Sequence, residues 1–199
     1  MWKLLLLGAS LLSAQETSVE CMPNRTAQTR AVRGPAGVSV VLKFSGLDDQ
    51  SKHSHDCVAQ YQLAVQQDGG GAALVADILT SYGDSGRKLS LHLDGFTSDG
   101  KRVFGIISES GRAPDSTLFD YNTADGKVQL FDIAKARRQI PASKCGREAA
   151  VSGTTDAGDI VMGPDPPGKC PNRWLFDPAS TMLRKLPEGK TVVALFSAQ

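Results

Sequence analysis

Thr97-Ser98-Asp99-Gly100-Lys101-Arg102-Val103-Phe104-Gly105, followed by Leu118-Phe119-Asp120-Tyr121-Asn122-Thr123-Ala124-Asp125-Gly126-Lys127-Val128, decides the fold. In both halves an Asp-Gly pair interrupts runs of β-branched and aromatic residues. Glycine supplies the positive φ of a tight hairpin turn, and the flanking apolar residues recur with a period of two. The stretch therefore predicts antiparallel strands joined by short turns.

The same order returns further along the chain. Thr154-Thr155-Asp156-Ala157-Gly158-Asp159-Ile160-Val161-Met162-Gly163 is followed by Trp174-Leu175-Phe176-Asp177-Pro178-Ala179-Ser180-Thr181-Met182-Leu183, and Tyr121 stands 55 residues before Phe176. A fainter copy precedes both, in Val40 to Phe44, Tyr61 to Val65 and Ala72 to Leu79. Three units of about 55 residues follow, at roughly 36–80, 88–135 and 147–199. Within them Val38 to Phe44, Val58 to Val65 and Leu89 to Leu93 alternate or are β-branched. Asp68-Gly69-Gly70-Gly71 and Gly83-Asp84-Ser85-Gly86 read as turns. The expected class is an antiparallel all-β single domain over 15–199, with one short helix inside Phe131 to Gln139, stopped by Pro141.

The middle unit resembles a blade of the TolB-type (WD40-like) β-propeller repeat. Ser98, Asp99, Gly100, Lys101 and Val103 match the first half of that repeat. Tyr121, Thr123, Ala124, Gly126, Lys127 and Val128 match the second. The last unit keeps Asp156, Phe176, Asp177, Pro178 and Ala179, but Thr181 stands where the turn glycine belongs. The likeness covers about 70 residues and implies propeller-blade-like units that bind a partner through loops and edges. Propellers close with four to eight blades. Three units therefore imply a homo-oligomer or another packing of the same hairpins.

The N-terminus reads as an export signal. Lys3 precedes a mostly apolar run from Leu4 to Leu12, then Ser13-Ala14, which is the pattern of a signal peptide over residues 1–14. The run is far shorter than the roughly 20 residues a membrane span needs. A periplasmic or secreted location follows. The four cysteines, Cys21, Cys57, Cys145 and Cys170, then read as two disulfides. Three connectivities are open to four cysteines, and the repeat implies Cys21–Cys57 and Cys145–Cys170.

Charge excludes some partners. The chain has 22 Lys and Arg against 21 Asp and Glu, and no basic stripe. Nucleic acid is therefore not an expected partner. His53, His55 and Asp56, with Asp48 and Asp49, form the one cluster of metal-ligand character; a polar loop beside a disulfide is its plainer reading. His92 alternates onto the polar side of a strand and is expected to be exposed. Ser108-Glu109-Ser110-Gly111 lacks the leading glycine of a nucleophile elbow, and no nucleotide-binding loop is present. Asn24-Arg25-Thr26 fits the N-glycosylation acceptor. Phe119, Tyr121, Trp174 and Phe176 recur at matching repeat positions and are expected in the core.

No catalytic residue and no cofactor are assigned. The function expected is a non-catalytic binding or scaffold protein that engages another envelope or extracellular protein. Two alternatives remain open: a small-ligand carrier with its strands closed as a β-barrel, and a metal-dependent or carboxylate hydrolase.

Overall fold

The computed structural model describes residues 16–48, 56–67, 74–110, 115–139, 149–164 and 173–196. The expected signal peptide lies outside the described residues. In chain order the strands are β1 (Thr17–Glu20), β2 (Thr26–Gln28), β3 (Val32–Arg33), β4 (Val38–Asp48), β5 (Asp56–Gln67), β6 (Leu74–Asp84), β7 (Lys88–Phe96) and β8 (Arg102–Glu109). They continue as β9 (Asp115–Asn122), β10 (Val128–Asp132), β11 (Ala149–Thr155), β12 (Ile160–Pro164), β13 (Trp174–Asp177), β14 (Met182–Lys185) and β15 (Val192–Ala194), with one helix, α1 (Ala134–Gln139), after β10.

The strands make three antiparallel sheets. The N-terminal sheet runs β2-β4-β5-β6, with β3 also on β4; the middle sheet runs β1-β7-β8-β9-β10; the C-terminal sheet runs β14-β13-β12-β11-β15. Most neighbours are consecutive in the chain, as short hairpin turns dictate. The all-β antiparallel expectation is met. Among the described residues no sheet closes into a barrel.

Alternation along the middle sheet explains the stacking. Leu89, Leu91 and Leu93 of β7, Val103 and Ile107 of β8, and Phe119 and Tyr121 of β9 point to one face. They join Val40, Leu42, Phe44, Tyr61 and Leu63 of the N-terminal sheet in one buried cluster. Phe104, Ile106 and Leu118 point the other way and meet Val151, Ile160, Met162 and Phe176 of the C-terminal sheet, with Ile133 and with Ala136 of α1. The middle sheet is thus the filling of a three-layer stack. Each fully buried aliphatic or aromatic side chain contributes about 1.5–3 kcal/mol.

Gly105 lets the aromatic layer close. A Cβ there would lie 2.6 Å from the Phe119 ring and 2.5 Å from the His92 carbonyl oxygen. At the far end Phe96 and Phe196 exchange backbone hydrogen bonds of 2.9 and 2.7 Å, tying the C-terminal segment to β7.

One disulfide, Cys21–Cys57, is present among the described residues, where two were expected. Cys145 and Cys170 lie outside the described residues. The bridge ties the segment after β1 to the start of β5, and so joins the middle sheet to the N-terminal sheet.

Candidate binding edge

A β-sheet ends in strands with one side of the backbone unpaired, and proteins blunt such edges by keeping them short. Most edges here obey that rule. β1 and β14 have 4 residues each, β2 and β15 have 3, β3 has 2 and β10 has 5. β6 does not: it has 11 residues, paired with β5 on one side and with no strand on the other among the described residues.

The sequence of β6 explains its length. Leu74-Val75-Ala76-Asp77-Ile78-Leu79-Thr80-Ser81-Tyr82 favours extended backbone and contains no proline. A bulge at Ile78 lets both Ile78 and Leu79 approach the core, since Leu79 faces Tyr61 while Asp77 faces Gln62. The strand runs on through Gly83 and Asp84, which the sequence places in a turn; only Ser85 and Gly86 turn. The turn is short because Gly86 N–H donates to the Cys21 carbonyl at 2.7 Å and Cys21 N–H donates to the Arg87 carbonyl at 2.9 Å. The strand end is therefore held by β1's continuation and the disulfide.

A buried polar joint fixes β6 to the middle sheet. Glu109, at the end of β8, accepts from the Tyr61 hydroxyl at 2.7 Å, from the Ser81 hydroxyl, and from Arg87 Nε at 3.2 Å. The Arg87 guanidinium also donates to the Cys57 carbonyl at 2.8 Å and to Ser81 Oγ at 3.0 Å. Side-chain exposure is only 8% for Arg87 and 15% for Glu109, so water screens the pair little. Burial, then the neighbouring Glu109 charge, raises the Tyr61 pKa above its ordinary value. The partners of Glu109 lie 22 to 48 residues away in the chain and carry no local sequence signal.

With its inner side fixed, β6 offers its outer side and face. Val75, Asp77, Thr80, Tyr82 and Asp84 lie opposite Ala64, Gln62, Gln60, Val58 and Asp56 of β5. One row there is apolar, Leu47-Val58-Tyr82, and Tyr82 is 73% exposed. Leu74 and Val75, at the other end of the strand, are 60% and 50% exposed. Between them the face is polar, with Ser45, Lys43, Gln60, Gln62 and Thr80. This composition suits a solvent-facing sheet whose ends carry apolar contacts.

The residues singled out from sequence fall as follows. His53, His55 and Asp49 lie outside the described residues. Asp56 opens β5 and faces Asp84; Asp48 ends β4. Among the described residues no three His, Cys, Asp or Glu side chains are grouped to hold a metal. His92 is not exposed as expected: its side chain is 14% accessible and its Nε2 lies 3.0 Å from Oδ1 of the buried Asp94. The polar side of β7 meets the C-terminal sheet rather than water, which is why. Phe119 and Tyr121 are buried in the core shared with the N-terminal sheet and Phe176 in the core shared with the C-terminal sheet, against which Trp174 packs half-buried. An open cleft of about 680 Å³ lies along Glu16, Thr17, Gln28, Thr29, Arg30, Ala31 and Val41, none of them in β6. Comparison with protein-family models, with characterised proteins and with solved structures returned no match to this chain.

Proposed function

We propose that this chain is an exported, non-catalytic binding module that engages a macromolecular partner by holding an extended segment of it along β6. The length of that edge, unpaired among the described residues, carries the reading. Eleven residues of rigid, anchored strand offer a row of backbone donors and acceptors, and a polypeptide in extended form satisfies such a row. Side chains of the added strand then lie beside Tyr82 at one end and Val75 at the other. The resemblance of the middle unit to a propeller blade supports the same view, since such units present edges and loops to partners.

Three observations support a periplasmic or secreted location. The N-terminal sequence has the order of a signal peptide. The Cys21–Cys57 bridge suits an oxidising compartment. Among the described residues no helix is long and apolar enough to cross a membrane.

The test is selection of random linear peptides on the purified protein, followed by hydrogen exchange with and without the best binder. The amides of Leu74–Asp84 should slow, and those of β14 should not change. Protection confined to the open cleft at Thr29 and Arg30, or binders that leave β6 exchanging freely, would remove the edge as the site.

A further inference from the structure

We infer that the segment taken up by β6 is basic, with two cations six residues apart and an apolar side chain between them. This rests on the edge-binding reading and adds the chemistry of the partner. The observation behind it is the sign of charge along the edge. β6 contains Asp77 and Asp84 and no Lys, Arg or His, and Asp56 on β5 lies directly opposite Asp84. Like charges facing each other across strands destabilise a sheet, so this pair carries a standing cost that a cation relieves. Among the described residues neither Asp56 nor Asp84 has a cationic partner. The nearest candidate, Arg87, reaches only the Asp84 carbonyl, at 3.4 Å, and spends its other donors on Glu109, Ser81 and Cys57.

The register fixes the spacing. Asp77, Thr80, Tyr82 and Asp84 face positions 62, 60, 58 and 56 of β5 and so share one face. The bulge at Ile78 makes Asp77 and Asp84 correspond to positions six apart on a paired strand rather than seven. An antiparallel incoming strand therefore sets one cation beside Asp84, with Asp56 one strand further in, an apolar residue two positions later beside Tyr82, and a second cation four positions after that beside Asp77. A second copy of this chain pairing β6 with β6 fits poorly, because β6 supplies no cation to its own carboxylates.

Three synthetic peptides test this. The first is Thr-Lys-Thr-Val-Thr-Thr-Thr-Lys-Thr; the second and third carry Glu or Ser in place of both Lys. Affinity is read by titration and the site by hydrogen exchange of β6. The Lys peptide should bind about tenfold tighter than the Ser peptide, lose that advantage in high salt, and outdo the Glu peptide by more. In the triple variant Asp56→Asn, Asp77→Asn, Asp84→Asn the Lys and Ser peptides should bind alike. Equal binding of Lys and Ser peptides to the parent protein, both protecting β6, would overturn the charge inference and leave edge binding standing. Binding of the Lys peptide without protection of β6 would overturn both.

Discussion

The middle and C-terminal sheets have the same turns and different fates. Ala124 N–H donates to Asn122 Oδ1 at 2.9 Å in the β9–β10 turn, and Ala179 N–H donates to Asp177 Oδ1 at 3.2 Å in the β13–β14 turn. Gly100 N–H reaches the Thr97 carbonyl at 2.8 Å, and Gly158 N–H reaches the Thr155 carbonyl at the same distance. Yet β8 and β9 pair over eight positions, whereas β12 and β13 pair over two. Hairpin chemistry sets the order of strands in both. The two sheets also differ in packing: the middle sheet contributes to a core cluster on each face, whereas the C-terminal sheet contributes to the one it shares with the middle sheet. Where the middle sheet must bury polar groups it gathers them around an arginine, and the two arginine joints differ in burial.

Arg87→Met should have the largest effect. It leaves the Glu109 carboxylate buried beside Tyr61 and Ser81 without its cation, which costs about 3–5 kcal/mol. Urea unfolding followed by tryptophan fluorescence measures the loss. Arg87→Met with Glu109→Gln should recover part of it, and a double variant as unstable as the single one would mean the charge pair is not the joint. Arg102 makes the corresponding joint on the other face. It donates to Asp120 from Nε at 3.1 Å and from NH2 at 2.5 Å, and to the Gly158 carbonyl at 2.7 Å. Its side chain is 27% exposed, so water softens the loss. Arg102→Met should cost about 1–3 kcal/mol. Equal losses at the two arginines would break the link between burial and joint strength.

How far the sequence shows these features follows from their range. Period-two alternation and Asp-Gly turns are local, and they place Leu89 to Leu93 and the Gly100 and Gly126 turns; the helical stretch stopped by Pro141 is equally local. The exposed face expected for His92 fails because alternation tells which residues share a face and not what covers it. The C-terminal sheet covers this one. Gly83 and Asp84 read as a turn and are strand, since hydrogen bonds from Cys21 and Arg87 hold the chain straight. The edge itself was half legible. Ala72 to Leu79 announces a strand, but only the pairing order shows that nothing follows β6 in its sheet among the described residues. The Tyr61–Glu109–Arg87 joint, assembled from three separate strands and a turn, leaves no pattern in the sequence at all.

The smallest effect tests whether the two sheets share one turn design. Gly126 has φ of 71° and Thr181, at the matching place, has φ of 54°. A β-branched residue in the left-handed region costs about 1–2 kcal/mol, and glycine has no Cβ to clash. The Asp177 side chain compensates in part, because it accepts from the Ser180 hydroxyl at 2.7 Å and from Arg184 and so ties the turn from both sides. Those bonds hold its carboxyl below the usual carboxylate range. Exchanging the two residues separates strain from compensation. Gly126→Thr should destabilise by about 1–2 kcal/mol. Thr181→Gly removes the strain but adds freedom to the unfolded chain worth about 0.4–1 kcal/mol, so the net gain should be about 0.5 kcal/mol. Thermal unfolding of both variants reads the signs directly. Opposite signs mean that the C-terminal turn is the middle turn with its glycine replaced and the strain retained. If Thr181→Gly is also destabilising, the Asp177 bonds have made threonine the preferred residue there, and the two turns share a backbone path without sharing the physics that holds it.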